Sequence, residues 1–118
     1  MKTSSVQIFG VQKSADTRAA VRFFKERHLA IHFVDLKHRP MSAGEIRRFI
    51  ERFGLCGLLD TEGKAALDAG LKYLKLSNPE MLSRIERDPQ LLRLPLIRAG
   101  KSLSVGLDEE SWKAMLGD

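Results

Sequence analysis

The fold is decided by residues 6–35, which read VQIFGVQKSADTRAAVRFFKERHLAIHFVD. The apolar run at 6–9 predicts a short buried strand. A helix is predicted next, because Ser14 or Asp16 can cap it and apolar residues then recur at helical spacing. Residues 31–35 predict a second strand, rich in β-branched and aromatic side chains. A strand, a helix and a strand in this order form a parallel unit.

The middle of the chain has helical character throughout. Ser42, with Glu45 three residues later, forms a capping box in front of an amphipathic helix. Residues 64–76 predict a second, interrupted helix. Asn78 followed by Pro79 predicts a cap and a first-turn proline for a third helix.

The last quarter of the chain returns to strands. Residues 94–98 and the strictly alternating residues 102–105 predict an antiparallel hairpin with its turn at 99–100. Pro95 lacks an N–H group, so it belongs at a strand's first residue or at an edge, and a cis peptide bond is an option there. Asp108 is predicted to cap a final helix.

Composition bounds the class of protein. A chain of 118 residues with 43% hydrophobic content builds one small domain, here expected to span 1–118. No apolar run is long enough to cross a bilayer and no signal peptide is apparent, so we expect a cytoplasmic protein with no membrane partner. A single cysteine, Cys56, excludes an internal disulfide and a cysteine-cluster metal site, and no metal is expected.

The net charge of +5 is compatible with a polyanion, an acidic protein surface or a small anion as partner. The densest basic stretch comprises residues 37–39 with Arg47, Arg48 and Arg52, and no aromatic residues are placed there for base stacking. We therefore interpret the stretch as a solvated face and do not expect nucleic acid as the partner.

Three local sequences resemble the arsenate reductase (ArsC) family, together with the related Spx regulators and small reductase-like proteins. Residues 9–18, FGVQKSADTR, are similar to the family's first loop, and residues 91–97, LLRLPLI, to its cis-proline segment. Residues 105–110, VGLDEE, are similar to its last strand-to-helix turn. The resemblance implies an α/β, thioredoxin-like (glutaredoxin-like) fold of the arsenate reductase subtype: a four-stranded mixed sheet with a helical insertion at about 41–88.

The family's chemistry uses a nucleophilic cysteine at the start of the first helix, where the helix dipole and nearby N–H groups favour the thiolate. This chain has Ser14 at that position. A serine hydroxyl needs an adjacent general base to become a nucleophile, and it cannot cycle through a mixed disulfide. The substitution therefore predicts the loss of redox chemistry at this loop.

The resemblance also implies a set of arginines that bind the anion, and this chain has only part of that set. Arg18 matches the arginine of the first loop, but Leu94 stands where an arginine precedes the cis-proline, and Arg93 is displaced by one residue. Arg93 is expected to point to the opposite face if the strand has already begun. The pair Asp60-Thr61 lies where a further arginine is expected. These departures predict that the chain is not an active arsenate reductase.

We assign no catalytic residue and expect no cofactor. The loop at Ser14 is a candidate site for glutathione, a phosphate-like anion or a peptide of a partner protein. The candidate residues for binding an anion, a thiol ligand or a protein partner are Lys13, Ser14, Thr17, Arg18 and Pro95. For Ser14, a plain helix-capping role is favoured over any catalytic one.

The leading interpretation is a redox-inactive family member that acts in binding or regulation. One alternative is a glutathione- or glutaredoxin-linked oxidoreductase using another thiol, Cys56 or one supplied by a second molecule. Cys56 sits in an apolar stretch, however, and is expected to be buried and inert. The other alternative is an Spx-like regulator. Spx proteins bind RNA polymerase and typically carry a Cys-x-x-Cys switch, which Ser14 and Thr17 cannot form.

Overall fold

The computed structural model describes residues 5–61, 63–68, 70 and 77–116. Its regular elements, in chain order, are β1 (Ser5–Gly10), α1 (Ala15–Glu26), β2 (Ala30–Asp35), α2 (Ala43–Phe53), α3 (Lys64–Asp68), α4 (Asn78–Arg87), β3 (Leu96–Ala99), β4 (Ser102–Val105) and α5 (Glu109–Leu116). Two single-turn 3₁₀ helices occupy Cys56–Leu58 and Pro89–Leu91. The described residues form two compact units, one made of those up to Arg39 and those from Leu94, the other of those from Pro40 to Arg93.

The sheet of the first unit has the strand order β2-β1-β3-β4. β1 and β2 are parallel, whereas β3 is antiparallel to both β1 and β4. The predicted parallel unit, the hairpin and the mixed four-stranded sheet are therefore confirmed. β1 lies in the interior of the sheet, which fits its apolar residues on both faces: Ile8 and Phe9 are both buried.

One face of this sheet packs against α1 and α5 through a cluster of aromatic rings. Phe23 and Phe24 meet edge to face with centroids 5.0 Å apart, and Trp112 lies 5.4 Å from Phe23 and 6.1 Å from Phe24. Aromatic pairs in this range contribute about 0.5–1.5 kcal/mol each beyond the area they bury. Val6 and Ile8 of β1 complete the cluster from the sheet side, as the two-residue period of a strand requires.

The predicted caps are mostly confirmed, because they depend on neighbours in sequence. Ser14 caps α1, and Asp16 instead lies in its first turn. At α2, the Ser42 N–H donates to Glu45 Oε1 at 2.8 Å and the Glu45 N–H donates back to Ser42 Oγ at 3.2 Å. Asp108 caps α5 by accepting from the N–H of Ser111 at 3.2 Å.

The cap predicted for α4 was wrong by one residue. Ser77, not Asn78, is the N-cap, and it forms a capping box with Glu80. The Ser77 hydroxyl donates to Glu80 Oε1 at 2.8 Å, and this hydrogen bond lowers the pKa of Glu80. Ser77 prevails because a glutamate three residues on can close the box, which an Asn78 cap could not do.

The hairpin differs from its prediction in its bounds. β3 begins at Leu96, and Ala99 still pairs with Ser102, so the turn is Gly100-Lys101. Gly100 has a φ of +61°, as the first position of a type II′ turn requires. Within β4, Ser104 is buried and its apolar neighbours are half-buried. Ser104 pairs with Ile97, whose side chain faces the aromatic cluster.

The second unit contains α2, α3, α4 and both 3₁₀ turns. Its two leucine pairs, Leu58-Leu59 and Leu91-Leu92, are buried, and Leu59 bridges Leu92 in antiparallel fashion. The helix predicted for 64–76 is observed as α3, and the part of that prediction at 71–76 lies outside the described residues.

Gly10 and Thr17 approach each other so closely that a Cβ atom at Gly10 would lie 2.6 Å from both Oγ1 and Cγ2 of Thr17. We expect Gly10→Ala to reduce the free energy of unfolding by about 1–3 kcal/mol, the usual cost of overpacking. Urea denaturation followed by circular dichroism measures this loss.

The matched control is Gly44→Ala, since a Cβ at Gly44 meets nothing within 4 Å. It should leave stability unchanged or raise it by up to about 1 kcal/mol. Removing both close atoms with Thr17→Ala should recover much of the loss caused by Gly10→Ala. Equal stability of the two glycine variants, or no recovery in the double variant, would contradict this explanation.

Candidate functional site

The candidate site is the loop that joins β1 to α1. The Ser14 N–H donates to the Val11 carbonyl at 3.1 Å, which closes a turn directly after the strand. Ser14 Oγ accepts a hydrogen bond from the Thr17 N–H at 3.2 Å, and the Ser14 carbonyl accepts from the Arg18 N–H at 3.1 Å. Ser14 therefore begins the helix with both its side chain and its backbone, as a helix cap does.

The side chains around Ser14 differ sharply in exposure. Ser14 is half-buried, and Lys13 and Arg18 are exposed. Within the described part of the chain, neither cation forms an ion pair. Both positive charges thus add to the positive end of the α1 dipole.

Thr17, predicted as a candidate binding residue, is only 1% exposed. Its side chain lies against Gly10, and Oγ1 has no hydrogen-bond partner among the described residues. Thr17 therefore packs the start of α1 onto the end of β1, and its hydroxyl is not presented at the surface.

Pro95 is brought to this end of the sheet by strand register. The Leu94–Pro95 peptide bond is cis, which confirms the option considered from the sequence. Leu96 pairs with Phe9, so Pro95 lies beside the end of β1 from which the loop departs. Its carbonyl accepts from the Gly106 N–H at 2.9 Å, and its ring is buried.

A histidine-carboxylate pair lies at the same edge and was not anticipated from the sequence. Asp35 ends β2 in register with Gly10, and His38 Nε2 lies 3.6 Å from Asp35 Oδ2. The His38 side chain is 80% exposed, and none of the described imidazoles hydrogen-bonds to Ser14 Oγ. The pair could have been suspected from the three-residue spacing at a strand end, but its place beside Gly10 depends on strand pairing.

The burial predicted for Cys56 was wrong, because the cysteine is exposed. Cys56 begins a single 3₁₀ turn in which Leu58 is fully buried. Successive side chains in such a turn point about 120° apart, so the turn that places Leu58 inward leaves Cys56 outward. Apolar neighbours in sequence therefore did not imply a buried thiol.

The residues at the family's other arginine positions lie as follows. Leu94 is buried, and Asp60 is half-buried in the second unit, where its N–H donates to the Leu91 carbonyl at 2.8 Å. Arg93 is exposed and precedes β3, which begins only at Leu96. The expectation that strand alternation would turn Arg93 to the opposite face therefore does not apply.

The described ranges hold no group of three or more histidine, cysteine or acidic side chains that could bind a metal ion. In the same part of the chain, every helix is too short or too polar to cross a membrane.

The mixed sheet, the strand-loop-helix unit and the cis-proline beside it define a thioredoxin-like protein. More specifically, the chain belongs to the ArsC family, whose sequence profile matches residues 9–115. The resemblance noted from the local sequences is thereby confirmed.

Individual relatives agree with this assignment. The chain is 26% identical over 114 residues to an arsenate reductase of Neisseria meningitidis serogroup A, covering 94% of this chain and 97% of that protein. It is 24% identical over 113 residues to the global transcriptional regulator Spx 2 of Lactococcus lactis, covering 94% of this chain and 86% of the regulator. The solved arsenate reductase from Vibrio cholerae shares the fold with a TM-score of 0.79 at 16% identity, over 97% of this chain and 99% of that one.

The Ser14 cap makes a stability prediction. Ser14→Ala removes the acceptor for the Thr17 N–H and should lower the free energy of unfolding by about 1 kcal/mol. Ser14→Asp keeps an acceptor and places a negative charge at the helix N-terminus, so it should be about as stable as the native chain. Urea denaturation of the three proteins tests this. An alanine variant as stable as the native chain would show that the cap contributes nothing to stability. An aspartate variant that is destabilised as much as the alanine variant would show that the loss does not come from the missing acceptor.

Proposed function

We propose that this ArsC-family protein has no thiol redox catalysis at its first loop and acts by binding a protein partner or a small anion. One observation carries the proposal: at the position of the family's nucleophilic cysteine, Ser14 Oγ accepts the hydrogen bond that caps α1. Capping the helix is by itself a sufficient reason for a serine at this position, and it involves no catalytic step.

Oxygen cannot replace sulfur in this reaction. Reduction of pentavalent to trivalent arsenic takes electrons from thiols, which end as a disulfide. A serine that attacked arsenate would form an oxygen ester in which arsenic is still pentavalent. Hydrolysis would then return the starting materials, so no electrons are transferred. The electropositive loop could still hold an anion, because Lys13 and Arg18 are exposed there.

We expect no arsenate reduction above background by the native chain with glutathione and glutaredoxin, measured as arsenite formed. The Neisseria meningitidis relative named above serves as the positive control. Cys56→Ala should behave as the native chain does. Ser14→Cys restores a thiol at the helix N-terminus, where thiol pKa values are lowered, and should form a mixed disulfide with glutathione that mass spectrometry detects.

A second candidate function rests on the exposure of Cys56. If this thiol served as an alternative nucleophile, the native chain would turn over arsenate and Cys56→Ala would not. That result would replace the proposed function with a reductase. Turnover that persists in Cys56→Ala would instead assign the attacking thiol to glutathione or glutaredoxin, which supply the electrons in either case, and would equally contradict a purely binding role.

A regulatory version of the binding role is supported by the similarity to Spx 2, which is named a global transcriptional regulator. We expect any complex with purified RNA polymerase to have the same affinity under reducing and oxidising conditions, because Ser14 and Thr17 cannot form a disulfide. Biolayer interferometry with dithiothreitol or diamide measures this, with Cys56→Ala added to remove the single thiol of the chain. An affinity that changes with oxidation in Cys56→Ala would contradict the absence of a switch.

A further inference from the structure

A row of polar side chains crosses three strands of the first unit's sheet. Gln7 of β1 pairs with His32 of β2 on one side and with Arg98 of β3 on the other. Paired residues in a sheet project to the same face, so the three side chains share one face. Val6 and Ile8, the neighbours of Gln7, project to the opposite face, into the aromatic cluster.

This row lines a pocket of about 260 Å³, together with Ser5 and Gly100. Pockets that hold drug-sized ligands have volumes of roughly 300–1,000 Å³, so this pocket suits a ligand smaller than a typical drug. Its lining offers a guanidinium, an imidazole, an amide and a hydroxyl, and none of the five lining residues is acidic.

The charge of Arg98 is uncompensated within the described part of the chain. Its Nε donates to the Gly100 carbonyl at 3.2 Å, and the side chain forms no ion pair with a described carboxylate. An acidic residue directly opposite an arginine on a neighbouring strand would offset its charge. The residues opposite Arg98 are Gln7 and Leu103, neither of which is acidic.

We propose that this pocket binds a small molecule through an oxyanion group, a phosphate or a carboxylate, with Arg98 as the principal ligand. The Gly100 carbonyl holds the Arg98 guanidinium through Nε, and the terminal nitrogens have no hydrogen-bond partner among the described residues. Arginine binds oxyanion groups in a bidentate manner through such nitrogens. The Gln7 amide and the His32 imidazole line the same pocket and can donate further hydrogen bonds.

This site is separate from the first loop. Gln7 precedes Gly10 by three residues, about 10 Å of strand, and the loop begins only after Gly10. The inference therefore goes beyond the proposed function and stands or falls independently of it.

The test is a titration of the isotopically labelled full chain with inorganic phosphate and, separately, with succinate, followed by amide chemical shifts. We expect saturable shifts at Gln7, His32, Arg98 and Gly100 at about 100 mM NaCl, where long-range attraction is screened. Arg98→Gln should weaken binding about tenfold or more. Gln7→Glu should do the same, because it keeps the side-chain shape and adds a repelling charge.

The matched control is Arg22→Gln, which removes the same charge from an exposed position on α1, the helix packed on the other face of the sheet. It should bind as the native chain does. Tighter binding of phosphate or of succinate distinguishes phosphorylated from carboxylate ligands, and either supports the site.

Three results would overturn the proposal. One is the lack of a saturable shift with either probe up to about 10 mM, well above a 1 mM dissociation constant. Another is an equal loss of binding in Arg22→Gln. The third is a set of shifts confined to residues 11–18, which would assign the anion to the first loop. If either Arg98→Gln or Gln7→Glu fails to fold, the other variant still tests the proposal.

Discussion

The arrangement of the first loop depends on how closely the start of α1 packs against the end of β1. The Thr17 side chain occupies the space that a Cβ of residue 10 would need. Glycine at the strand end therefore lets α1 start close to β1, with Ser14 as its N-cap. The same strand end receives Asp35 from β2 and lies beside Pro95 through β3 pairing. One close contact thus positions the loop relative to three strands.

Within this geometry, Ser14 has a structural role at the start of α1. Serine is among the best N-cap residues, and Ser14 makes the expected bond to Thr17. The start of α1 is therefore capped without a thiol. The exposed cations Lys13 and Arg18 favour negative charge beside this helix start, which is the basis of the proposed binding role.

The sequence predicted those features that depend on near neighbours. The Ser42 box, the parallel unit and the hairpin follow from spacing alone, whereas spacing left both Ser14 and Asp16 open as the cap of α1. The family resemblance supplied the four-stranded mixed sheet. The burial of individual side chains could not be predicted in the same way. Ser104 is buried because it pairs with Ile97, and Cys56 is exposed because Leu58 takes the inward position of a short turn. Apolar or polar character in the sequence could not show which face each residue would take.

The polar row is the clearest case of information that only the folded chain contains. Gln7, His32 and Arg98 lie in three separate segments, and none belongs to a motif. Strand register places them side by side on the face that Val6 and Ile8 do not occupy. Successive side chains of β1 project to opposite faces of the sheet. Val6 and Ile8, which fill the aromatic cluster, therefore force Gln7 to the other face. The row is therefore fixed by the same packing that fixes the core, and a one-residue slip of β1 would destroy both together.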